Sequence, residues 1–554
     1  MKWELAAVPA AAPVLERAGF PAWLAAVLAR RGVADAEGAR TFLAPAVDQL
    51  HDPMLLAGMP AAVERLHAAR ERQERVAVVG DYDADGVTST ALLVSVLRAC
   101  GLAAEPVLPH RLREGYGFQP VHVDRAQELG CGLIVTVDCG TTAFAGAASA
   151  RAAGIDLIVT DHHLPDEALP EGVLLVNPRQ PGCEYPFRDL AGVGLALKLA
   201  QAFAGRCERA LDLEALLRIA CVGTVADMVP LVGENRVIAT LGLKTLGNTR
   251  SVGLKALLQK ARVEAPFSAA DIGFRIGPRL NAAGRLGSAT EALELLLTKD
   301  PARAAELAED LDRANRERQA AEALVVEQAR ALCCGTAKLP PILVGWGEAW
   351  HQGVVGIAAG RLAREFHRPT ILLAVREGIA TGSGRSVPGI NLHEFLQSWS
   401  GGLLRFGGHA QAIGLSAAVG ELERLQSEWS KAAELWPPDA LEARREYELE
   451  LGPAEINLDL FRELERLAPF GQGNAQPLIR VGPLRLRATP RLFGNGHLGA
   501  FATGADGGRV EILGWGWAER QDSLQGEFEL LAHLERDRRH GGLVLRGVDV
   551  RASG

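Results

Sequence analysis

The 554-residue chain carries 59 Lys and Arg against 67 Asp and Glu, a net charge of −8. Any nucleic-acid contact must therefore come from local basic clusters or bound cations, not from an overall basic excess. Hydrophobic residues at 48 % and charged residues at 23 % suit a chain that buries sizeable cores, and no CxxC pair among its eight cysteines argues for a disulfide framework or a cysteine-held zinc site.

In chain order, MKWELAAVPAAAPVLERAGF is interrupted by Glu4 and Glu16 and shows no basic n-region or apolar h-region. No later run reaches the roughly 18 uncharged apolar residues of a membrane span. A cytoplasmic protein without a membrane partner is expected. Residues 1–50 read as a helical segment. From Arg75, short Val/Ile/Leu runs alternate with helical stretches: RVAVVGDYD, then STALLVSVLRACG; LIVTVDCG, then AGAASARAAG; IDLIVTDHH; and VLLVNP. Such runs indicate buried parallel strands in βαβ units, which bind ligands at their carboxyl ends. PARAAELAEDLDRANRERQAAEALVVEQARALC lacks Gly and has Pro only at its start, so it predicts one long helix joining two lobes. PPILVGW, GVVGIAAGRLAREFH and PTILLAV open a second α/β pattern. After the proline-rich, charged stretch near Trp436 to Arg444, five β runs suit a small barrel or sandwich. The organisation expected is 1–50 helical, 51–240 catalytic α/β, 241–335 helical connector, 336–445 smaller α/β, and 446–554 C-terminal β-barrel.

Acidic residues recur at the strand ends. Asp81, Asp83 and Asp85 follow the first run, Asp138 the second, and Asp161, His162 and His163 the third; Asp227 follows the helical LEALLRIACV. Carboxylates crowded at strand tips repel and raise each other's pKa unless a cation neutralises them. Asp83, Asp85, Asp138, His162 and Asp227 offer hard oxygens and one imidazole but no thiolate, which favours Mn2+ or Mg2+ over zinc. Two such ions roughly 3.5–4 Å apart clamp phosphate oxygens and activate water for in-line attack.

Other segments suit a nucleic-acid strand. HRLREGYGF mixes basic side chains with Tyr116 and Phe118, a stacking-and-phosphate combination, although a plain basic loop has the same composition. GPRLNAAGR offers Arg279, Asn281 and Arg285 in a tight loop, where arginines serve equally as salt-bridge partners. ATGSGRSVPG presents Ser383 and Arg385 on a glycine-rich loop suited to a terminal phosphate. RFGGHAQAIG adds Gly408 and His409, suited to close backbone approach. In the barrel segment, Arg480, Arg485, Arg487 and Arg491 form either a phosphate track or a solvated face.

VVGDYDADGVTST, VDCG, TDHH and GTVADMVPL resemble, in order and spacing, the four motifs of the DHH phosphoesterase superfamily. GFRIGPRLNAAGR, WHQGVVGIAAGRL, GSGRS, RFGGHAQAIG and LAPFGQGNAQP are similar to the RecJ family of single-strand-specific 5′→3′ DNA exonucleases. The resemblance covers nearly the whole chain from about Pro45. It implies a parallel-sheet DHH domain joined by a long helix to a smaller α/β DHHA1 domain, with a C-terminal OB-fold. It implies two divalent ions, Asp83 and Asp85 each holding one and Asp138 bridging. His162 and Asp227 would complete the shell, and Asp81 would ligate or steady it. His163 would face the scissile phosphate, with Asp161 orienting a histidine. Arg111 and Tyr116 fall at matching positions on the DNA path. Single-stranded DNA with a 5′ end is the implied substrate, supplied by a single-strand-binding protein and a helicase, and a monomer is expected. Two rivals remain: a DHH enzyme on short oligonucleotides or cyclic dinucleotides, and a non-catalytic DNA-binding scaffold.

Overall fold

The Val/Ile/Leu runs that end in acidic residues build one sheet. Arg75–Gly80 (β1), Ala103–Val107 (β2), Cys131–Val137 (β3), Asp156–Thr160 (β4) and Val173–Val176 (β5) pair in the order β2-β1-β3-β4-β5, all parallel. Val76, Val78, Leu133, Val135 and Ile158 are buried in one cluster with the helices Ala84–Ala99 (α1) and Gly192–Arg206 (α2). Ala77, Val79, Ile134 and Val159 are buried in another on the opposite face. Both faces are thus covered, which is why these strands are unbroken apolar runs. β2 is not marked by an unbroken apolar run, because its AAEPV carries Glu105 and Pro106. It is an edge strand, where a missing N–H is tolerated.

The computed structural model describes residues 2–553 apart from 116, 287, 335–338, 495 and 538–540. It divides into two compact units. One holds Trp3–Pro278, Ala292–Ala305 and Glu446–Gly554; the other holds Arg279–Glu291 and Glu306–Arg445 with the first two residues. Leu213–Ala226 (α3) follows α2 in the first unit. GPRLNAAGR, read as a tight loop, lies within the helix Gly277–Leu286 (α4), which continues directly from a π-turn over Ile272–Ile276. The long helix runs Pro301–Cys334 (α5), as expected from its Gly-free sequence.

In the first unit the N-terminal helices Ala12–Arg17, Ala22–Arg30 and Ala36–Leu43 share a core with the C-terminal barrel. Leu15, Leu24, Leu28 and Phe42 cluster with Phe461, Val481, Leu484 and Leu530. Arg236 ties these segments together. Its buried guanidinium donates to the carbonyls of Phe42, Arg466, Leu467 and Ala468 and lies 4.0 Å from the Phe42 ring centre.

The second unit carries a five-stranded sheet of Leu343–Gly347 (β6), Thr370–Arg376 (β7), Ile379–Arg385 (β8), Arg405–His409 (β9) and Ala412–Ala418 (β10), ordered β9-β10-β8-β7-β6. The helix Gln352–Phe366 (α6) packs on β7 and β8, where Val354, Val355, Ala358 and Leu362 are buried with Leu372 and Ala374.

The barrel consists of Ile479–Leu486 (β11), His497–Gly504 (β13), Arg509–Gly514 (β14), Glu527–Arg536 (β15) and Leu543–Ala552 (β16). It closes because β11 pairs with both β15 and β13. Arg491–Phe493 (β12) adds to β13 outside the closed ring.

Candidate metal centre

Three strand ends and one helix end meet at the carboxyl edge of the parallel sheet. Asp83 caps α1: its Oδ1 accepts from the backbone N of Asp85 (2.9 Å) and Gly86 (3.1 Å). That bond starts the helix and turns Asp85 inward, where its carboxylate accepts from the first amides of α2, Gly192 N (2.7 Å) and Val193 N (2.9 Å). A helix N-terminus is a favourable partner for a buried anion. Asp138 follows β3 in the left-handed region, φ 61°, and Asp227 caps the C-terminal end of α3.

Ligand-type atoms of these residues gather in overlapping groups within 4.8 Å: Asp81, Asp83 and Asp138; Asp85, His162 and Asp227; and Asp138, His162 and His163. His162 Nε2 lies 3.1 Å from Asp138 Oδ1 and 3.7 Å from Asp227 Oδ2. Yet all three atoms are buried with no hydrogen-bond partner. The short Nε2–Oδ1 approach lacks hydrogen-bond geometry, so it is not an ordinary ion pair.

The electrostatics agree. Burial, then His163, lowers His162 to about 4, so its imidazole is neutral and able to ligate. Burial, then the charge of Asp83, raises Asp81 to about 7 and Asp227 to about 6. Asp85 and Asp138 are pushed well above the carboxylate range by burial and by neighbouring aspartates. Buried polar atoms left unpaired are costly. A carboxylate-and-imidazole set in this condition fits one or two hard divalent cations.

Asp161 has a different task. Its Oδ1 accepts from His163 Nδ1 (2.7 Å) and from the backbone N of His162 (2.8 Å) and His163 (3.1 Å), while Oδ2 accepts from Thr141 N (2.9 Å). These bonds outweigh burial and hold its carboxyl below the usual range. Burial opposes charge on His163, but Asp161, Asp227 and Asp81 together raise it to about 9. Asp161 thereby fixes the orientation of the His163 ring beside the carboxylate cluster.

Several supporting residues escaped the sequence reading. Asn177, at the end of β5, donates to Thr141 Oγ1 and to the His163 carbonyl, both at 2.9 Å. Its place at a fourth strand end on the same edge was the available signal. Gly192 and Gly223 carry no side chain because a Cβ would lie 2.5 Å from Asp138 Cβ and 2.8 Å from Asp85 Oδ1, respectively. No local pattern announces such closeness.

Of the strand-binding expectations, Arg111 lies over the Tyr82 ring, 4.9 Å from its centre, and its charge reaches Asp81. Tyr116 lies outside the described residues. Arg279, Asn281, Arg285, Ser383, Arg385, Gly408 and His409 belong to the other compact unit. There Arg279 is paired with Asp312 (2.7 Å), Asn281 is half-buried on α4, and Arg285 donates to the Gly353 carbonyl (3.2 Å). Ser383 and Arg385 stand on strand β8, not on a loop. By register, Thr381, Ser383 and Arg385 share one sheet face with Ala412, Gly414 and Ser416 of β10 and with Arg405, Gly407 and His409 of β9. A shallow hollow of about 470 Å³ on this sheet is lined by Gln352, Thr381, Arg405, Gly407, Gly414 and Ser416, among others. Gly408 has a local reason to be glycine: φ is +135° and a Cβ would meet the Ala412 carbonyl at 2.4 Å. A Cβ on Gly407 or Gly414 would have nothing within 4 Å, and neither has a positive φ, so both leave the face open.

Family models match three segments: the DHH family N-terminal domain at residues 75–224, the DHHA1 domain at 339–434 and the RecJ OB domain at 447–543. The fold and the carboxylate–histidine cluster thus define a protein of the DHH class. The single-stranded-DNA-specific exonuclease RecJ of Dickeya dadantii (strain 3937) is 39 % identical over 548 residues, covering 93 % of each chain. That of Escherichia coli (strain K12) is 38 % identical and covers 89 % of each. The chain spans 64 % of the length of the Bacillus subtilis RecJ, at 36 % identity over 90 % of its own. The crystal structure of RecJ from Thermus thermophilus in complex with Mn2+ superposes with a TM-score of 0.83 at 31 % identity, covering all of this chain and 80 % of that one. This chain belongs to the RecJ family.

Proposed function

We propose that this chain is a divalent-metal-dependent exonuclease that degrades single-stranded DNA from its 5′ end, releasing mononucleotides for repair and recombination. The observation that carries the reading is the convergence of Asp138 Oδ1, His162 Nε2 and Asp227 Oδ2, buried without hydrogen bonds, in a chain akin to RecJ exonucleases over nearly its whole length.

In this reading Asp83, Asp85, Asp138, His162 and Asp227 hold Mn2+ or Mg2+, with Asp81 against the same cluster. Two ions bound there supply Lewis-acid polarisation of the phosphate and a readily ionised water. The chain's own groups do the rest. The α2 amides fix the Asp85 carboxylate. Asp161 pins Nδ1 of His163, so Nε2 is the nitrogen that meets charge developing on the phosphate. Arg111 over Tyr82 offers a cation and a ring to the incoming strand. In the other unit, Ser383, Arg385 and His409 are the residues we assign to strand contact; Arg279 and Arg285 act through Asp312 and Gly353 in ordering that unit.

We read the domains as 51–240, 336–445 and 446–554 around a 241–335 connector. The 1–50 segment packs on the barrel. A monomer supplied by a single-strand-binding protein and a helicase, working in the cytoplasm, completes the reading; among the described residues no helix is long and apolar enough to cross a membrane.

The test is degradation of end-labelled single and double strands with Mn2+, Mg2+ or chelator. Release of mononucleotides from the 5′ end of single strands, lost with chelator and in Asp138→Ala, is expected. Full activity of Asp138→Ala with Mn2+ sinks the metal assignment. Cleavage of dinucleotides alone favours the short-oligonucleotide rival.

A further inference from the structure

Away from the metal centre, two helices end on cysteines that the proposed chemistry does not use. α1 and α2 start together, since Asp85 in the first turn of α1 accepts from the first two amides of α2. They span 16 and 15 residues, so at about 1.5 Å per residue both run roughly 23 Å. They stay packed along that length: Leu93, Val96 and Leu97 of one share a buried cluster with Ala196, Leu199, Ala200 and Phe203 of the other. Two parallel helices of near-equal length that start side by side also end side by side. Their C-caps are Cys100 and Cys207. Each cap is fixed through its backbone: Cys100 N donates to the Val96 and Leu97 carbonyls (2.9 and 3.1 Å), and Cys207 N to those of Phe203 and Ala204 (3.0 and 3.1 Å). Cys100 belongs to the same buried cluster and Cys207 packs against it, with the two thiols within hydrogen-bonding reach of each other.

The surroundings suit oxidation of this pair. Among the described side chains, Cys207 is the one cysteine that is not buried, so a small oxidant reaches its sulfur while Cys100 stays behind it. Arg209 stands two residues beyond Cys207, and Arg70 comes over the Cys100 turn, where a Cβ on Gly101 would lie 3.8 Å from its Nε. Burial, then the charge and hydrogen bond of Cys207, pushes the Cys100 thiol up, and Arg209 and Arg70 oppose that shift. Cations beside a partly exposed sulfur favour the thiolate, the form that reacts. A second thiol in reach then resolves the first oxidation product. The two sulfurs are 107 positions apart in the chain (207 − 100), so joining them removes much of the freedom of the unfolded state. A pair that merely filled the core would need neither the opening at Cys207 nor the cations.

We propose that Cys100 and Cys207 are a peroxide-reactive pair that closes a reversible disulfide and staples α1 to α2 at the ends away from the metal centre. The Cys207 thiolate attacks one peroxide oxygen and the O–O bond breaks. The leaving hydroxide takes up the proton that the thiol released and becomes water, with sulfenic acid left on Cys207. The Cys100 sulfur then attacks the Cys207 sulfur; the S–O bond breaks, and the hydroxyl leaves as water with the Cys100 proton. In sum, two thiols and one hydrogen peroxide give one disulfide and two waters, the sulfurs losing two electrons and the peroxide oxygens gaining them. An added dithiol reverses the bond by exchange. The staple keeps the α2 amides on Asp85 when the cluster holds no cation and its carboxylates repel. That consequence alone rests on the reading of the cluster as a metal site.

Oxidation of the full chain with hydrogen peroxide in chelator, followed by unfolding, alkylation and peptide mass analysis, tests it. The Cys100 and Cys207 peptides are expected joined, with the loss of two hydrogens, and separated again by dithiothreitol. In chelator the oxidised chain melts roughly 5–10 °C above the dithiothreitol-treated one. Cys100→Ser accumulates sulfenic acid on Cys207, which dimedone traps, and Cys207→Ser shows neither a bond at Cys100 nor a rise in melting temperature. The pair is overturned if both cysteines of the unsubstituted chain remain fully alkylated after peroxide, or if Cys207 bonds only to a second chain. An intramolecular bond with no rise in melting temperature overturns the staple. None of these readouts uses nuclease activity, so a chain that forms the staple yet degrades no DNA supports the pair and overturns the functional reading alone.

Discussion

Gly192 stands directly against Asp138. A Cβ on Gly192 would lie 2.5 Å from Asp138 Cβ and 2.6 Å from Oδ1, although the two residues belong to different elements 54 positions apart (192 − 138). Gly192→Ala forces either Asp138 or the start of α2 to move. Overpacking of this kind costs roughly 1–3 kcal/mol of stability. Displacing a catalytic group by about 1 Å costs on the order of 100-fold in rate. Nuclease assays at saturating metal should therefore show a loss of about that size in a chain that still folds. A variant with the unsubstituted rate refutes the contact's importance.

Asp138→Asn separates repulsion from ligation. Without metal, it removes one of several crowded carboxylates whose mutual repulsion raises their pKa values, so its melting temperature in chelator should equal or exceed that of the unsubstituted chain. With Mn2+ at 100 times its dissociation constant, the unsubstituted chain gains about 2.7 kcal/mol, and the variant gains much less. Equal stabilisation of both by Mn2+ contradicts the assignment.

His122 gives the HRLREGYGF segment an acid limit. Its Nδ1 accepts from Gln119 N (3.0 Å) at the start of the helix Pro120–Glu128, which requires an unprotonated nitrogen. Burial lowers its pKa below 6.5 despite the Glu114 carboxylate beside Nε2. The folded value is below the unfolded one. The stabilisation is thus complete above about pH 6.5 and is lost as pH falls through the folded value. The drop in melting temperature between pH 8 and pH 5 should be smaller in His122→Gln than in the unsubstituted chain, and identical slopes would rule this out.

Arg236→Leu leaves the carbonyls of Phe42, Arg466, Leu467 and Ala468 without their donor. Each buried carbonyl left unsatisfied costs about 1–3 kcal/mol. Chemical denaturation should show a loss of several kcal/mol, and limited proteolysis should first open the 1–50 segment. Arg236→Lys, with fewer donors, should recover only part. Unchanged denaturation of Arg236→Leu contradicts this role.

The catalytic sheet was legible because its strands are buried on both faces, so apolar runs mark them directly, and because each run ends in the chemistry it positions. Asp83, Asp85, Asp138 and His162 could be named on that ground alone. β2 was not legible, since an edge strand needs no unbroken apolar run and tolerates Pro106. GPRLNAAGR read as a loop because glycines at its ends outweigh its few apolar residues, yet α4 continues directly from the π-turn before it.

By itself the sequence determined which groups could carry charge, which runs could be buried, and hence a metal-dependent chemistry at a sheet edge. The tertiary structure alone decided how that capacity is divided. Asp161 serves His163 because Thr141 and two backbone amides hold its carboxylate away from the cluster. Arg279, Arg480 and Arg485 are neutralised by Asp312, Glu450, Glu529 and Glu527, whereas Arg491 lies over the Phe493 ring. Partnership between residues far apart in the chain depends on distances of a few ångströms, and those are set by packing rather than by any local pattern.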